Sequence, residues 1–169
     1  MLLKNLLKEI NFRLVESKGI EIITSNKKAF HDYEIVDKIE AGVELQGSEV
    51  KSLRARHANL KDSFASIRDG EVFLLKAHIA AHKFSGSYDN HDPERARRLL
   101  LHKKEITRLR RNMESKGITL IPLKLYFNPK GVVKVELGLA KGKRQYDKRA
   151  AIAERDLERE MDRFRKGKL

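Results

Sequence analysis

GITLIPLKLYFNPKGVVKVELGLA, residues 117–140, decides how the rest of the chain reads. ITLIPLKLYF and VVKVELGLA are rich in β-branched and aromatic residues, which suit a pleated, half-buried surface. Asn128-Pro129-Lys130-Gly131 lies between them and carries turn chemistry. The stretch reads as two strands closing a hairpin. Just upstream, Lys116-Gly117 ends a helix, with Gly117 free to take positive φ.

That helix is expected to start at Asp92-Pro93-Glu94, with Asp92 as its cap and Pro93 at the first helical position. Leu99, Ile106, Leu109 and Met113 would form its buried stripe, with Arg95, Arg98, Lys103, Arg110 and Arg111 mostly elsewhere around it. DSFASIRDGEVFLL (62–75) reads as a hairpin turning at Asp69-Gly70. KAHIAAHKFSGSYDNHD (76–92) begins strand-like and ends as a loop. Tyr33–Leu45 is strand-like, and Gly42 suggests a bend or bulge within it. In QGSEVKSLRARHANL, Ser48 is expected to cap a short helix, with Glu49 in its first turn and Lys51, Arg54 and Arg56 later. At the N-terminus, Leu2, Leu3, Leu6, Leu7, Ile10 and Leu14 fall at helical spacing. They read as a helix docked on the body or offered to a surface or partner. The body is mainly β with helices, most simply an OB-like closed β-barrel with flanking helices.

Composition narrows the function. The 169 residues fit one domain with appendages. Lys and Arg number 37 against 24 Asp and Glu, a net +13 that attracts polyanions, chiefly nucleic acid. Residues 141–169 carry +5 of this, so the body is basic in its own right. Without cysteine there are no disulfides or thiolate metal sites, which fits a reducing cytosol. No apolar run approaches the ~20 residues of a membrane span, and Lys4, Lys8 and Glu9 interrupt any signal-peptide core.

Catalytic patterns are weak. His57, His78, His82, His91 and His102 lack cysteines or an H-E-x-x-H context for zinc, and His91 reads as a loop or helix-entry residue. Glu49-Val50-Lys51 would serve a Mg²⁺ nuclease only on a strand, with Asp32 or Asp37 nearby. Asn26-Lys27-Lys28, beside His31-Asp32-Tyr33, is a candidate phosphate-contact element or a solvated charged turn. RNA binding is the strongest inference from the residues alone.

Six blocks carry a resemblance. NKKAFHDYEI, EAGVELQGSEVKSLR, NLKDSFASI, NHDPERARRLLLH, KGITLIPLKLYF and AKGKRQYDKR resemble, in order and spacing, those of the tmRNA-binding small protein B (SsrA-binding protein) family. The likeness spans Ile23 to Arg149. It implies an OB-like barrel (residues 23–140) that binds the tRNA-like domain of tmRNA in trans-translation, the rescue of stalled bacterial ribosomes. It implies no catalytic residues, no metal and no cofactor. The implied partners are tmRNA, the small and large ribosomal subunits, and elongation factor Tu through alanyl-tmRNA. There is no membrane partner, and a cytoplasmic monomer is expected when free. Asn26, Glu40, Leu100 and Lys134 match the family's RNA-binding positions, with Lys27 and Lys28 beside the first. Leu100 also fits plain core packing.

Residues 141–169 would be a basic tail entering the vacant mRNA channel. Gly142, Lys143, Arg144, Tyr146, Asp147, Lys148 and Arg149 match the segment required on the ribosome. Tyr146 stands where many members have His, which keeps stacking and loses imidazole chemistry. Tyr146, Ala150, Ala153, Leu157, Met161 and Phe164 make one narrow apolar seam. Like charges four apart, such as Glu154/Glu158 and Arg155/Arg159, oppose an isolated helix. The tail is therefore expected to be disordered when free and helical on binding. Residues 1–22 match nothing in the family. A generic OB-fold ribosome-associated RNA-binding protein is the alternative.

Overall fold

The computed structural model describes residues 19–81, 90–114, 117–143 and 161. Its strands are β1 (Glu21–Ser25), β2 (Tyr33–Val43), β3 (Ala58–Asn59), β4 (Phe64–Arg68), β5 (Glu71–Leu75), β6 (His78–Ile79), β7 (Arg97–Leu100), β8 (Ile118–Phe127) and β9 (Val133–Gly142). Its helices are α1 (Lys27–Asp32), α2 (Gly47–Arg54) and α3 (Lys103–Met113). Seven strands pair in the order β1-β8-β4-β5-β7-β2-β9, and β9 returns to pair with β8, so the ladder closes on itself. All its pairings are antiparallel. β3 and β6 form a separate two-stranded piece. The described fold is mainly β. Among the described residues no helix is long and apolar enough to cross a membrane.

The hairpin of residues 118–142 organises this sheet. Asn128 Oδ1 accepts from Val132 N at 2.8 Å and Lys130 N at 3.1 Å, closing the turn. Val133, Val135, Leu137 and Leu139 alternate inward along β9, with Lys134 and Glu136 turned outward. In β8 the register shifts between Pro122 and Lys124. Leu120 therefore faces the core before the bulge and Leu125 and Phe127 after it. Ile121 and Leu123 face the other side, where they pack with Ala29 of α1 and Ala140. A proline inside a paired strand needs such an interruption. Leu123 lies over Gly138, where a Cβ would sit 3.1 Å from Leu123 Cδ1.

Asp69 (φ 50°) and Gly70 (φ 78°) turn β4 into β5, as a two-residue hairpin with both centres left-handed requires.

Three expectations need correction. The helix expected from Asp92 begins at Lys103, after strand β7. Asp92 instead closes a turn, accepting from Glu94 N at 3.0 Å. The bulge in β2 falls between Ile35 and Asp37, not at Gly42. Gly42 is glycine because Leu100 crosses close by; a Cβ would lie 3.2 Å from Leu100 Cβ. Ser48 does not cap α2: Gln46 does, and Glu49 Oε2 accepts from Gln46 N at 2.7 Å. The N-terminal helix expected at residues 2–14 lies outside the described residues. So does the tail from Arg144 on, apart from Met161, which is helical and exposed.

Candidate nucleic-acid interface

Strand β2 carries the site because two partners pair with its far end. Gly42 stands opposite Lys134 of β9 on one side and Leu100 of β7 on the other. Two residues back on the same face is Glu40. Thus Glu40, Leu100 and Lys134, from three separate strands, line one open groove of about 1100 Å³. Leu100 is 52% exposed, so it is a surface side chain and not core packing. The adjacent Leu99 points inward and fills the buried place expected of it.

Polar contacts position the groove's charges. Lys134 Nζ lies 3.4 Å from Glu40 Oε1, and Tyr126 OH donates to Glu40 Oε2. Tyr126 sits opposite Lys134 on β8, nearly buried, and holds the carboxylate from beneath. An ion pair this exposed contributes only about 0–1 kcal/mol. Both ends of it therefore remain available to exchange for a ligand. The next rung continues the outward stripe: Glu136 bridges Lys124 at 3.0 Å and Lys38 at 3.6 Å. Lys38 in turn lies 5.9 Å from the Phe30 ring centre. Across the groove Arg98 binds Glu44 at 2.7 Å and Glu71 at 2.8 Å. These hydrogen bonds, Glu71's first, raise its pKa. With Lys103 and Arg110 from α3 on its rim, the groove mixes both signs of charge around an exposed leucine. Charges of both signs beside an apolar side chain suit discrimination as well as attraction.

The strand that presents Leu100 is anchored from inside. Arg97 is fully buried, and its Nε donates to Glu49 Oε1 at 2.8 Å. Its remaining donors reach Ala77 O at 2.6 Å, Pro93 O at 3.0 Å and Arg95 O at 3.1 Å. Arg95 forks onto both Glu49 oxygens, at 2.9 and 2.6 Å. Burial pushes the Glu49 carboxyl up. The Arg95 hydrogen bonds, the Gln46 amide and Arg97 prevail and hold it below its ordinary value of 4.5. Glu49 is therefore committed to structure. Lys51 is exposed on the same helix, which removes the strand geometry a nuclease triplet needs. Among the described residues no group of three His, Asp or Glu is placed to hold a metal. His91 is likewise a buried loop residue, with ring nitrogens 2.9 Å from Ser48 Oγ and 3.0 Å from Ile79 O.

The remaining candidates gather elsewhere. Asn26 is 6% exposed. Its Oδ1 accepts from Ala29 N at 3.1 Å, and its Nδ2 donates to Leu60 O at 3.1 Å and Pro122 O at 3.2 Å. It is a structural clamp that seats α1, not a surface contact. Lys27 and Lys28 are exposed on α1, and Lys28 pairs with Asp62 at 2.9 Å. At this end β9 finishes: Gly142 pairs with Tyr33, and Lys143 N donates to Asp32 O at 3.0 Å. Lys143 Nζ also reaches Phe30 O at 3.3 Å. Gly42 lies nine residue steps along β2 from Tyr33, about 30 Å at ~3.3 Å per residue. The six RNA-binding candidates therefore fall into two places: a groove with Glu40, Leu100 and Lys134, and a basic end with exposed Lys27 and Lys28 and buried Asn26 beside Gly142 and Lys143. Arg144, Tyr146, Asp147, Lys148 and Arg149 lie outside the described residues.

Sequence reasoning overlooked Tyr126 as the support of Glu40 beneath the groove, and Arg98 and the α3 cations as members of it. Alternation marks the first: Lys124 and Tyr126 on β8 face the same way as Lys134 and Glu136 on β9. No comparable signal marks Arg98, because β7 was read as helix.

Known proteins resemble this chain over most of its length. The family model described as SmpB protein matches residues 23–167. The SsrA-binding protein of Thermosipho melanesiensis is 55% identical over 148 residues, covering 88% of this chain and 100% of that protein. That of Syntrophobacter fumaroxidans is 57% identical over 145 residues, covering 86% and 89%. A chain in the solved structure described as "tmRNA-SmpB: a journey to the center of the bacterial ribosome" is 51% identical. It superposes with a TM-score of 0.61 over 76% of this chain and 93% of that one.

Proposed function

The chain belongs to the SmpB family, and from that premise we propose how its two ends divide the work of an RNA-binding adaptor in trans-translation. It binds tmRNA and acts on the ribosome; it is a member of an RNA-binding family and not an enzyme. The observation that carries the assignment of ends is the groove, which brings Glu40, Leu100 and Lys134 together from β2, β7 and β9. This groove receives the tRNA-like domain of tmRNA. Lys134 contacts phosphate, Glu40 accepts hydrogen bonds from a base or a 2′-hydroxyl, and Leu100 packs on sugar or base. Lys27 and Lys28, with Gly142 and Lys143 at the root of the tail, face ribosomal RNA. Residues 144–169 then continue into the vacant mRNA channel.

The closed pairing of β8, β4, β5, β7, β2 and β9 supports an OB-like barrel spanning residues 23–140. Delivery by elongation factor Tu as the alanyl-tmRNA complex, a monomeric free state and a cytoplasmic location complete the reading. A generic OB-fold protein would bind unrelated RNAs equally, with ionic strength setting the affinity.

The direct test is competition: labelled tRNA-like domain against excess tRNA, at two salt concentrations. Retained preference at the higher salt is the expected result; equal competition by tRNA would refute the adaptor reading. Within the groove, Lys134→Ala is expected to make the slope of log K against log salt shallower by about 0.7–0.9, the signature of one lost phosphate contact. Leu100→Ala is expected to weaken binding and preference with the slope unchanged. Salt-titrated binding of both variants checks the two roles separately.

A further inference from the structure

The outer flank of α3 is more uniformly basic than the groove, and none of the roles above uses it. Helix α3 carries Lys103, Lys104, Arg108, Arg110 and Arg111 against one carboxylate, Glu105. That carboxylate is committed to the helix start, where Oε2 accepts from His102 N at 2.8 Å. Leu109 buries the inner face, with Ile106 and Met113 packed beside it. Lys103 and Arg110 line the groove. On the other flank Lys104, Thr107, Arg108 and Arg111 fall at i, i+3, i+4 and i+7, all exposed. The stripe runs along about 10 Å of helix. Arg108 is held to Asp37 at 2.6 Å. Among the described residues, Lys104 and Arg111 have no carboxylate partner. Like charges three and four apart repel, so this stripe works against the helix alone and is relieved by an extended anion laid along it.

Protein–nucleic acid interfaces separate two tasks: phosphate contacts set position, and base and sugar contacts set identity. The groove, with mixed charge and exposed Leu100, suits the second task. The α3 flank, with three cations against a single exposed acid, Asp37 at Arg108, suits the first. We infer that Lys104, Arg108 and Arg111 form a contact site for the phosphate backbone of a helical arm of the same RNA that occupies the groove. Lys103 and Arg110 make the two surfaces contiguous, because one helix lines both. The inference rests on the groove reading given above and extends it to a second surface.

The test uses the full-length chain, tRNA-like domain RNA as probe, and a Lys104→Gln/Arg111→Gln double variant. Neither side chain is buried, and circular dichroism confirms that the variant folds. Loss of two phosphate contacts makes the log K against log salt slope shallower by about 1.4–1.8. The preference over tRNA stays as in the unsubstituted chain. An unmoved slope, with affinity unchanged, overturns the inference. Leu100→Ala, measured in parallel, separates the two readings. If Leu100→Ala loses preference while the double variant leaves the slope alone, only the α3 site fails. If the unsubstituted chain shows no preference over tRNA, the groove reading falls and takes the α3 site with it.

Discussion

Glu49→Ala is expected to remove about 3–5 kcal/mol of folding stability, the usual cost of stranding a buried charge. The change leaves Arg97 fully buried, with its guanidinium facing three backbone carbonyls and no counter-charge. It also frees the Gln46 amide that starts α2 and the Arg95 fork that ties residues 93–96 to it. Against a typical total of 5–15 kcal/mol, a loss of that size is a large fraction. A large drop in urea midpoint checks the prediction; a midpoint unchanged from the parent would mean that water reaches Arg97 and the network is dispensable. Replacing both partners by apolar residues, Glu49→Leu with Arg97→Met, is expected to cost less than the single change, because no charge is then stranded. The same network sets an acid limb. Because folding depresses the Glu49 pKa below 4.5, its contribution is complete above that value. It is lost as pH falls through the lower, folded-state value.

Ending the chain after Lys143 is expected to leave affinity for the tRNA-like domain nearly unchanged while reducing tagging of a nonstop reporter to background. The structure fixes where the cut belongs. β9 pairs with β2 through Tyr33 and Gly142, and Lys143 N donates to Asp32 O at 3.0 Å. A cut at residue 140 would strip the last rungs of the ladder and confuse folding with function. The groove lies at the other end of β2 and loses nothing. The removed segment carries nine Lys or Arg and six Asp or Glu, so its loss changes the long-range attraction to RNA only modestly. Parallel measurements of binding and tagging decide the matter. Normal tagging by the shortened chain would refute the role assigned to the tail, and lost binding would place part of the RNA site in it.

Strong local chemistry was legible. The Asp69-Gly70 turn, the Asn128–Gly131 turn and the two strands flanking the latter each declare themselves over a few residues, and all stand. Strand β7 was not legible. Its ARRLLLH context has helical spacing, a proline at a good starting position and Leu99 buried in either reading. What makes it a strand is Arg97, whose charge is tolerable inside only because Glu49, 48 residues earlier in the chain, arrives from α2. No pattern within the segment reports that partner. The bulge of β8 is similar: Pro122 hints at an interruption, but only burial on both faces reveals that the alternation changes phase there. Within the site, Lys134 and Glu40 came from family likeness, since their meeting depends on the β2–β9 register. Asn26 also came from family likeness; no local pattern reports that it is buried and bonded to Leu60 O and Pro122 O, with Lys27 and Lys28 the exposed groups beside it.

The ladder between β2 and β9 has a mechanical meaning. It runs unbroken but for one bulge from Tyr33 opposite Gly142 to Gly42 opposite Lys134. β8 pairs with β9 from Val133 to Lys141 on its other side, and β7 ties the far end of β2 at Gly42 and Val43; a slip of one residue would turn every side chain over. The ladder therefore acts as a ruler about 30 Å long, with the groove proposed for RNA at one mark and the end of β9, from which the chain continues into its basic segment, at the other. An adaptor built this way gauges distance. Whatever RNA is seated in the groove, the tail leaves at a set offset from it, and only an RNA held at that offset from an open channel brings both ends into place at once.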